Sequence, residues 1–133
     1  MLRRAATQVA RKSAIGADSA QAYVSDPRND TVLVYVNGRF VPRAEAVVSV
    51  FDAGFGLGDG VWEGLRLVNG RIISLGAHLD RLYEGARSIA IDIGLTREQL
   101  TAALFDTLAK NGMADGAHIR LMVTRGVKRT VNQ

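Results

Sequence analysis

The sequence predicts an α+β fold of two layers, antiparallel hairpins forming one and two helices the other. Three observations carry this. Apolar runs are interrupted by the pairs Asn37-Gly38 and Asn69-Gly70, two later stretches repeat apolar residues at helical spacing, and the stretch "AHIRLMVTRG" alternates apolar with polar residues. Hairpins come first, helices next and a single strand last, an order that builds α+β layers rather than repeated βαβ units.

Residues 1–30 read as a flexible basic arm. The segment "MLRRAATQVARKSAIGADSAQAYVSDPRND" has no acidic residue before Asp18 and is rich in Ala, Arg and Ser. That composition suits an unstructured or partner-embracing terminus first and a mitochondrial transit peptide second, so the expected location is cytoplasmic with mitochondrial as the alternative. "DPRND" is a turn-rich linker, which places one domain at 31–133.

Inside the domain, "TVLVYV-NG-RFV" is a hairpin, because both central residues of a type I′ turn require positive φ and Asn-Gly accepts it most readily. "AVVSVF" reads as a strand running into "DAGFGLGDGVWEGLR". "GLRLV-NG-RIIS" is the second hairpin, with Arg66 on its first strand. Leu79, Leu82, Ala86, Ile89 and Ala90 recur at helical spacing and predict a helix over 76–91. A second helix is expected over 97–111, opened by a Thr96/Gln99 capping box and stopped at Asn111-Gly112. In the last strand Ile119, Leu121 and Val123 face the core, leaving His118, Arg120 and Met122 outside.

Composition removes several function classes. With 47% hydrophobic and 23% charged residues the chain is an ordinary globular domain, and with no cysteine it has no disulfide framework, thiolate metal site or thiol nucleophile. The apolar runs are too short to span a bilayer, so no membrane partner is expected. Of the net charge of +4, half lies in the first thirty residues. Without a basic stripe on the domain itself, no nucleic-acid partner is expected.

Glycines at 54, 56, 58 and 60 need a reason, since glycine weakens a strand. The spacing fits no dinucleotide fingerprint, no lysine follows in the manner of a P-loop, and the third and fifth positions of a calcium loop would be Gly54 and Gly56, which carry no oxygen ligand. No metal is expected. On the residues alone, the stretch is a bulged strand whose glycines admit a neighbouring backbone.

The stretch "GDGVWEGLRLVNGRIISLGAHLDRL", together with "VNGRFV" before it and "HIRLMVTRG" after it, resembles the small N-terminal domain of the class IV (fold-type IV) pyridoxal-phosphate enzymes. These include branched-chain and D-amino-acid aminotransferases, (R)-amine transaminases and aminodeoxychorismate lyases. The resemblance runs from Val34 to about Gly126. It implies pyridoxal 5′-phosphate as cofactor, a branched-chain or D-type amino acid and a 2-oxo acid as substrates, and a homodimer. The arginine of the family's H-x-x-R-L motif, which grips the cofactor phosphate, falls on Arg81. A guanidinium suits the role, being planar, permanently charged and able to donate two parallel hydrogen bonds to phosphate. His78 shares its helix face and is read as capping or orienting the helix. Trp62 falls where these enzymes face substrate, and Arg66 matches the arginine of the branched-chain members. Arg129 is the candidate for a substrate carboxylate, one residue out of register with the family pattern. Glu63 alternates with Trp62 onto the opposite face and is read as structural. The glycine loop becomes a wall of the substrate pocket.

Amino-group transfer by this chemistry needs a lysine that holds the cofactor covalently. In the family it lies in a second domain, which is expected to be missing here. Of the three lysines, Lys12, Lys110 and Lys128, none holds a family position; Lys128, beside Arg125 and Arg129, is the one rival. No catalytic residue is therefore assigned, and the chain alone is expected to be inactive. Two alternatives stay open: an aminodeoxychorismate lyase, and a non-catalytic orphan domain that binds a partner.

Overall fold

The structure, a computed structural model, describes residues 26–128. Most of the predicted arm, with Lys12, and the candidate Arg129 lie outside the described residues. Both Asn-Gly hairpins form. Strands β1 (Leu33–Val36) and β2 (Arg39–Pro42) pair antiparallel with Leu33 opposite Pro42. Asn37 and Gly38 turn between them at φ 49° and 84°, the double positive φ that the sequence demands. The second hairpin joins β3 (Gly60–Val68) to β4 (Arg71–Ile72) through Asn69 and Gly70, at φ 49° and 74°.

Strand β5 (Ala117–Thr124) lies antiparallel along nearly all of β3, so the main sheet has the order β4-β3-β5. Strand β4 covers only Leu67 and Val68 of β3. The other edge of β3, from residue 60 to 65, has no strand partner among the described residues.

Helices α2 (Leu75–Ser88) and α3 (Arg97–Lys110) form the second layer. Their buried leucines recur every three or four residues, Leu79 and Leu82 on α2, Leu100, Leu104 and Leu108 on α3, so each helix turns one stripe to the sheet. These meet Leu65, Leu67 and Ala117 at one end of the core and Val61, Leu121 and Val123 at the other. The capping box at Thr96 and Gln99 is present, both of its hydrogen bonds formed. Asn111 ends α3 and ties the first hairpin to it: its side chain accepts from the Leu33 N–H at 2.7 Å and donates to the Leu33 carbonyl at 2.9 Å.

Three elements differ from expectation. "AVVSVF" is not a strand. Its backbone pairing is confined to the end, where Phe51 accepts from the Lys128 N–H at 3.0 Å and Asp52 bridges Val127; ahead of that no strand is formed, and Val47, Val48 and Val50 stand exposed. The first half of the glycine stretch is not a bulged strand but a short helix, α1 (Ala53–Leu57), and Gly60 opens β3. Asp52 caps it, accepting from the Gly54 N–H at 2.8 Å and from the Thr124 hydroxyl at 3.0 Å, and Gly58 ends it in the left-handed region. Helix α2 also stops sooner than predicted. Ala90 adopts φ 54°, and the Ala90 and Ile91 N–H groups close back onto Arg87 and Ala86 in a Schellman motif. No helix among the described residues is long and apolar enough to cross a membrane.

Candidate functional site

Alternation along β3 sends Glu63 to one face of the sheet and Trp62, Gly64 and Arg66 to the other. The inward face is otherwise apolar. Glu63 is 3% exposed, and a carboxylate so buried requires partners. They come from the first turns of α2. Arg81 donates through Nε to Oε1 at 2.7 Å and through Nη2 to Oε2 at 2.5 Å, and His78 Nδ1 lies 2.7 Å from Oε2. A ring nitrogen that close to a carboxylate oxygen carries the proton, so His78 donates to Glu63. His78 therefore orients the carboxylate and does not cap the helix. The Arg81 side chain remains 71% exposed, its head at the rim where α2 meets the sheet.

The hydrogen bonds of Arg81, with those of His78, outweigh burial and hold the Glu63 carboxyl below the usual glutamate range. A carboxyl with a lowered folded pKa contributes stability that is fully present above its unfolded pKa and is lost as pH falls through the folded value. Wild type should therefore exceed Glu63→Gln in stability at neutral pH, and the difference should shrink as pH drops below about 4.3, the usual glutamate value. Urea midpoints at pH 7 and pH 3.5 read this directly. A difference of the same size at both would show that ionisation of Glu63 contributes nothing.

On the outer face Trp62 is exposed, and the Arg120 guanidinium lies over its ring at 3.6 Å from the centroid. Register places Met122 opposite Trp62 and His118 opposite Arg66, so an aromatic ring, two arginines and a histidine share one solvent-facing surface. Trp62 and Arg66 thus lie on one face of β3, and Arg120 shares it. Outward alternation along "HIRLM" was the available signal for Arg120. The structure does not bring Arg81 onto this surface: it stands on the other face of β3, and the two faces meet only at the open edge.

Gly54, Gly60 and Gly64 are explained by contacts within the chain. A Cβ at Gly60 would lie 2.6 Å from the Val123 carbonyl oxygen, one at Gly54 would lie 2.8 Å from the Thr124 Cβ, and one at Gly64 would lie 3.1 Å from His118 Nε2. Gly56 and Gly58 have no such neighbour closer than 4.0 Å. Close approach of β5, rather than space for a ligand, accounts for Gly54 and Gly60.

Arg125 is fully engaged elsewhere. It pairs with Asp59 through Nε at 2.6 Å and donates to the Ile89 and Ala90 carbonyls at 2.6 and 3.0 Å, fastening the end of the glycine stretch to the end of α2. Lys110 sits over the Phe40 ring at 5.0 Å. Among the described residues no group of three or more His, Cys, Asp or Glu is placed to hold a metal. A shallow depression lined by Tyr83, Arg87, Ile91 and Asp92 lies at the far end of α2 and gathers none of these groups.

The profile of the amino-transferase class IV family matches residues 60–132, more than half of the chain. A putative branched-chain-amino-acid aminotransferase of Methanocaldococcus jannaschii is 50% identical over 94 residues, covering 71% of this chain and 32% of that protein. A D-alanine aminotransferase of Listeria innocua is 42% identical over 99 residues, covering 74% of this chain and 34% of that protein. The T.th. branched-chain amino acid aminotransferase complexed with N-(5′-phosphopyridoxyl)-L-glutamate superposes with a TM-score of 0.67 at 30% identity, over 74% of this chain and 34% of that one. The chain spans about a third of the length of these relatives.

Proposed function

Because the chain belongs to the amino-transferase class IV family, we propose that it supplies the phosphate grip and one pocket wall for amino-group transfer between an amino acid and a 2-oxo acid. The carrying observation is Arg81, a guanidinium fixed on one edge by a buried carboxylate and exposed on the other. That donor set fits a phosphate ester, so pyridoxal 5′-phosphate is the proposed cofactor. When bound, pyridoxal phosphate provides the electron sink for amino-group transfer. The chain's own residues bind and orient. Arg81 takes the phosphate; Arg66 and Arg120, flanking Trp62, offer cations to a substrate carboxylate; and the open edge of β3 is where one bound molecule can reach both faces. Arg129 remains a candidate for the same carboxylate. A second domain contributes the lysine in this proposal.

The test is an amino-transfer assay on the protein carrying this chain together with a lysine-bearing domain. Turnover of branched-chain 2-oxo acids is expected; release of pyruvate from aminodeoxychorismate without amino transfer would favour the lyase.

We further propose a homodimer. Exposed apolar side chains concentrate in residues 47–57, with Phe55 at 71% and Leu57 at 64% exposure, a patch of the kind that monomers rarely leave uncovered. Sedimentation equilibrium at micromolar concentration should give the dimer mass, and Phe55→Glu should shift it to monomer. A wild-type monomer throughout would remove the proposal.

A further inference from the structure

Resting on the phosphate role of Arg81 proposed above, we infer that Glu63 is a positioning residue of the grip: it occupies one edge of the guanidinium and presents the other to the phosphate. A guanidinium has two edges capable of bidentate bonding, one made by Nε and Nη2 and one made by Nη1 and Nη2. Glu63 holds the first, with both oxygens engaged at 2.7 and 2.5 Å. The second edge offers one Nη1 proton and the remaining Nη2 proton; Nη2 also lies 3.2 Å from His78 Nδ1, which, already donating to Glu63, has no lone pair to accept from it. Carboxylate, guanidinium and phosphate then stand in series and do not compete for the same donors.

The two partners differ sharply in freedom. Glu63 is central on β3, its side chain 4% exposed, and its Oε2 is further held by His78. Arg81 is a long side chain 71% exposed on a helix surface. Left alone, such a side chain samples many rotamers, and ordering it opposes binding. The buried carboxylate selects one of them beforehand. If removing this support lowers the fraction of Arg81 in the gripping posture to about a tenth, apparent affinity for the phosphate falls about tenfold. His78 belongs to the same support, because its Nδ1 proton fixes the Glu63 carboxylate.

The experiment measures, on the full 133-residue chain, the ratio of affinities for pyridoxal 5′-phosphate and for pyridoxal, which lacks the phosphate. Wild type, Glu63→Gln, Arg81→Ala and the double variant are compared, and the arginine Nε–H resonance of Arg81 is followed during the titration. The ratio should fall about tenfold in Glu63→Gln and to about one in Arg81→Ala, with no further fall in the double variant. The Arg81 Nε–H should stay protected in wild type at saturating phosphate ester, because Glu63 keeps that edge. Should Glu63→Gln fail to fold, Glu63→Asp, which withdraws the carboxylate by one methylene, serves in its place. An unchanged ratio in a folded Glu63 variant, or an Arg81 Nε–H that loses protection when the ester binds, would overturn the inference while leaving Arg81 as the grip. A ratio near one in wild type, or one unchanged in Arg81→Ala, would overturn the phosphate role itself and the inference with it.

Discussion

Gly60→Ala is expected to destabilise the chain by about 2 kcal/mol, a fall in Tm of roughly 10 °C, whereas Gly56→Ala is expected to be neutral or to stabilise by up to ~1 kcal/mol. The two glycines lie four residues apart in the same stretch, but their surroundings differ. At Gly60 the added Cβ would meet the Val123 carbonyl oxygen at 2.6 Å and the Thr124 Cα at 3.2 Å, both backbone atoms of a strand hydrogen-bonded along its length. Neither atom can move without opening the β3–β5 ladder. At Gly56, inside α1, the nearest atom is 4.0 Å away, and alanine is the better helix former. Thermal melts of the two variants separate the explanations for the glycine loop. Similar melting of both, with ligand binding lost in both, would return the glycines to the role of pocket wall.

Arg81→Ala is expected to weaken binding of pyridoxal 5′-phosphate on the order of 100-fold, while Arg87→Ala leaves it nearly unchanged. Both arginines are on α2, so both variants lose one positive charge from the same helix. Only Arg81 is in the first turns, clamped to Glu63 with its second edge facing solvent; Arg87 is in the last turn. Long-range charge therefore predicts equal losses, and bidentate bonding predicts a large difference. Equilibrium dialysis with the phosphate ester distinguishes them, and equal weakening in the two variants would reduce Arg81 to an ordinary surface charge.

What the sequence discloses and what it hides follow from how local each cause is. The Asn-Gly turns and the Thr96 capping box are determined within four residues, and both form as read. The alternation that turns Glu63 inward and Trp62 outward is local as well. The end of α2 is not. Nothing in "RSIAID" marks a stop, because the left-handed residue is Ala90 where glycine is usual, and the exposed carbonyls of Ile89 and Ala90 are taken up by Arg125, some thirty-five residues away. "AVVSVF" shows the opposite error. Its β-branched residues favour a pleated surface, but strand formation needs a partner along its length, and pairing reaches only Phe51 and Asp52, through Lys128 and Val127. The site divides in the same way. Arg81 was legible through its motif, yet the carboxylate that holds it is eighteen residues earlier on another element, and only the packing of α2 on β3 brings the two together.

Reductive labelling tests most directly the central claim that these residues hold the cofactor phosphate without supplying the lysine. The chain is mixed with pyridoxal 5′-phosphate and reduced with borohydride, and the modified residues are mapped by mass spectrometry. The expected result is weak modification scattered over surface amines, with none of Lys12, Lys110 and Lys128 favoured. Stoichiometric and selective modification of Lys128, accompanied by amino-transfer turnover, would contradict the account and make Lys128 the catalytic residue.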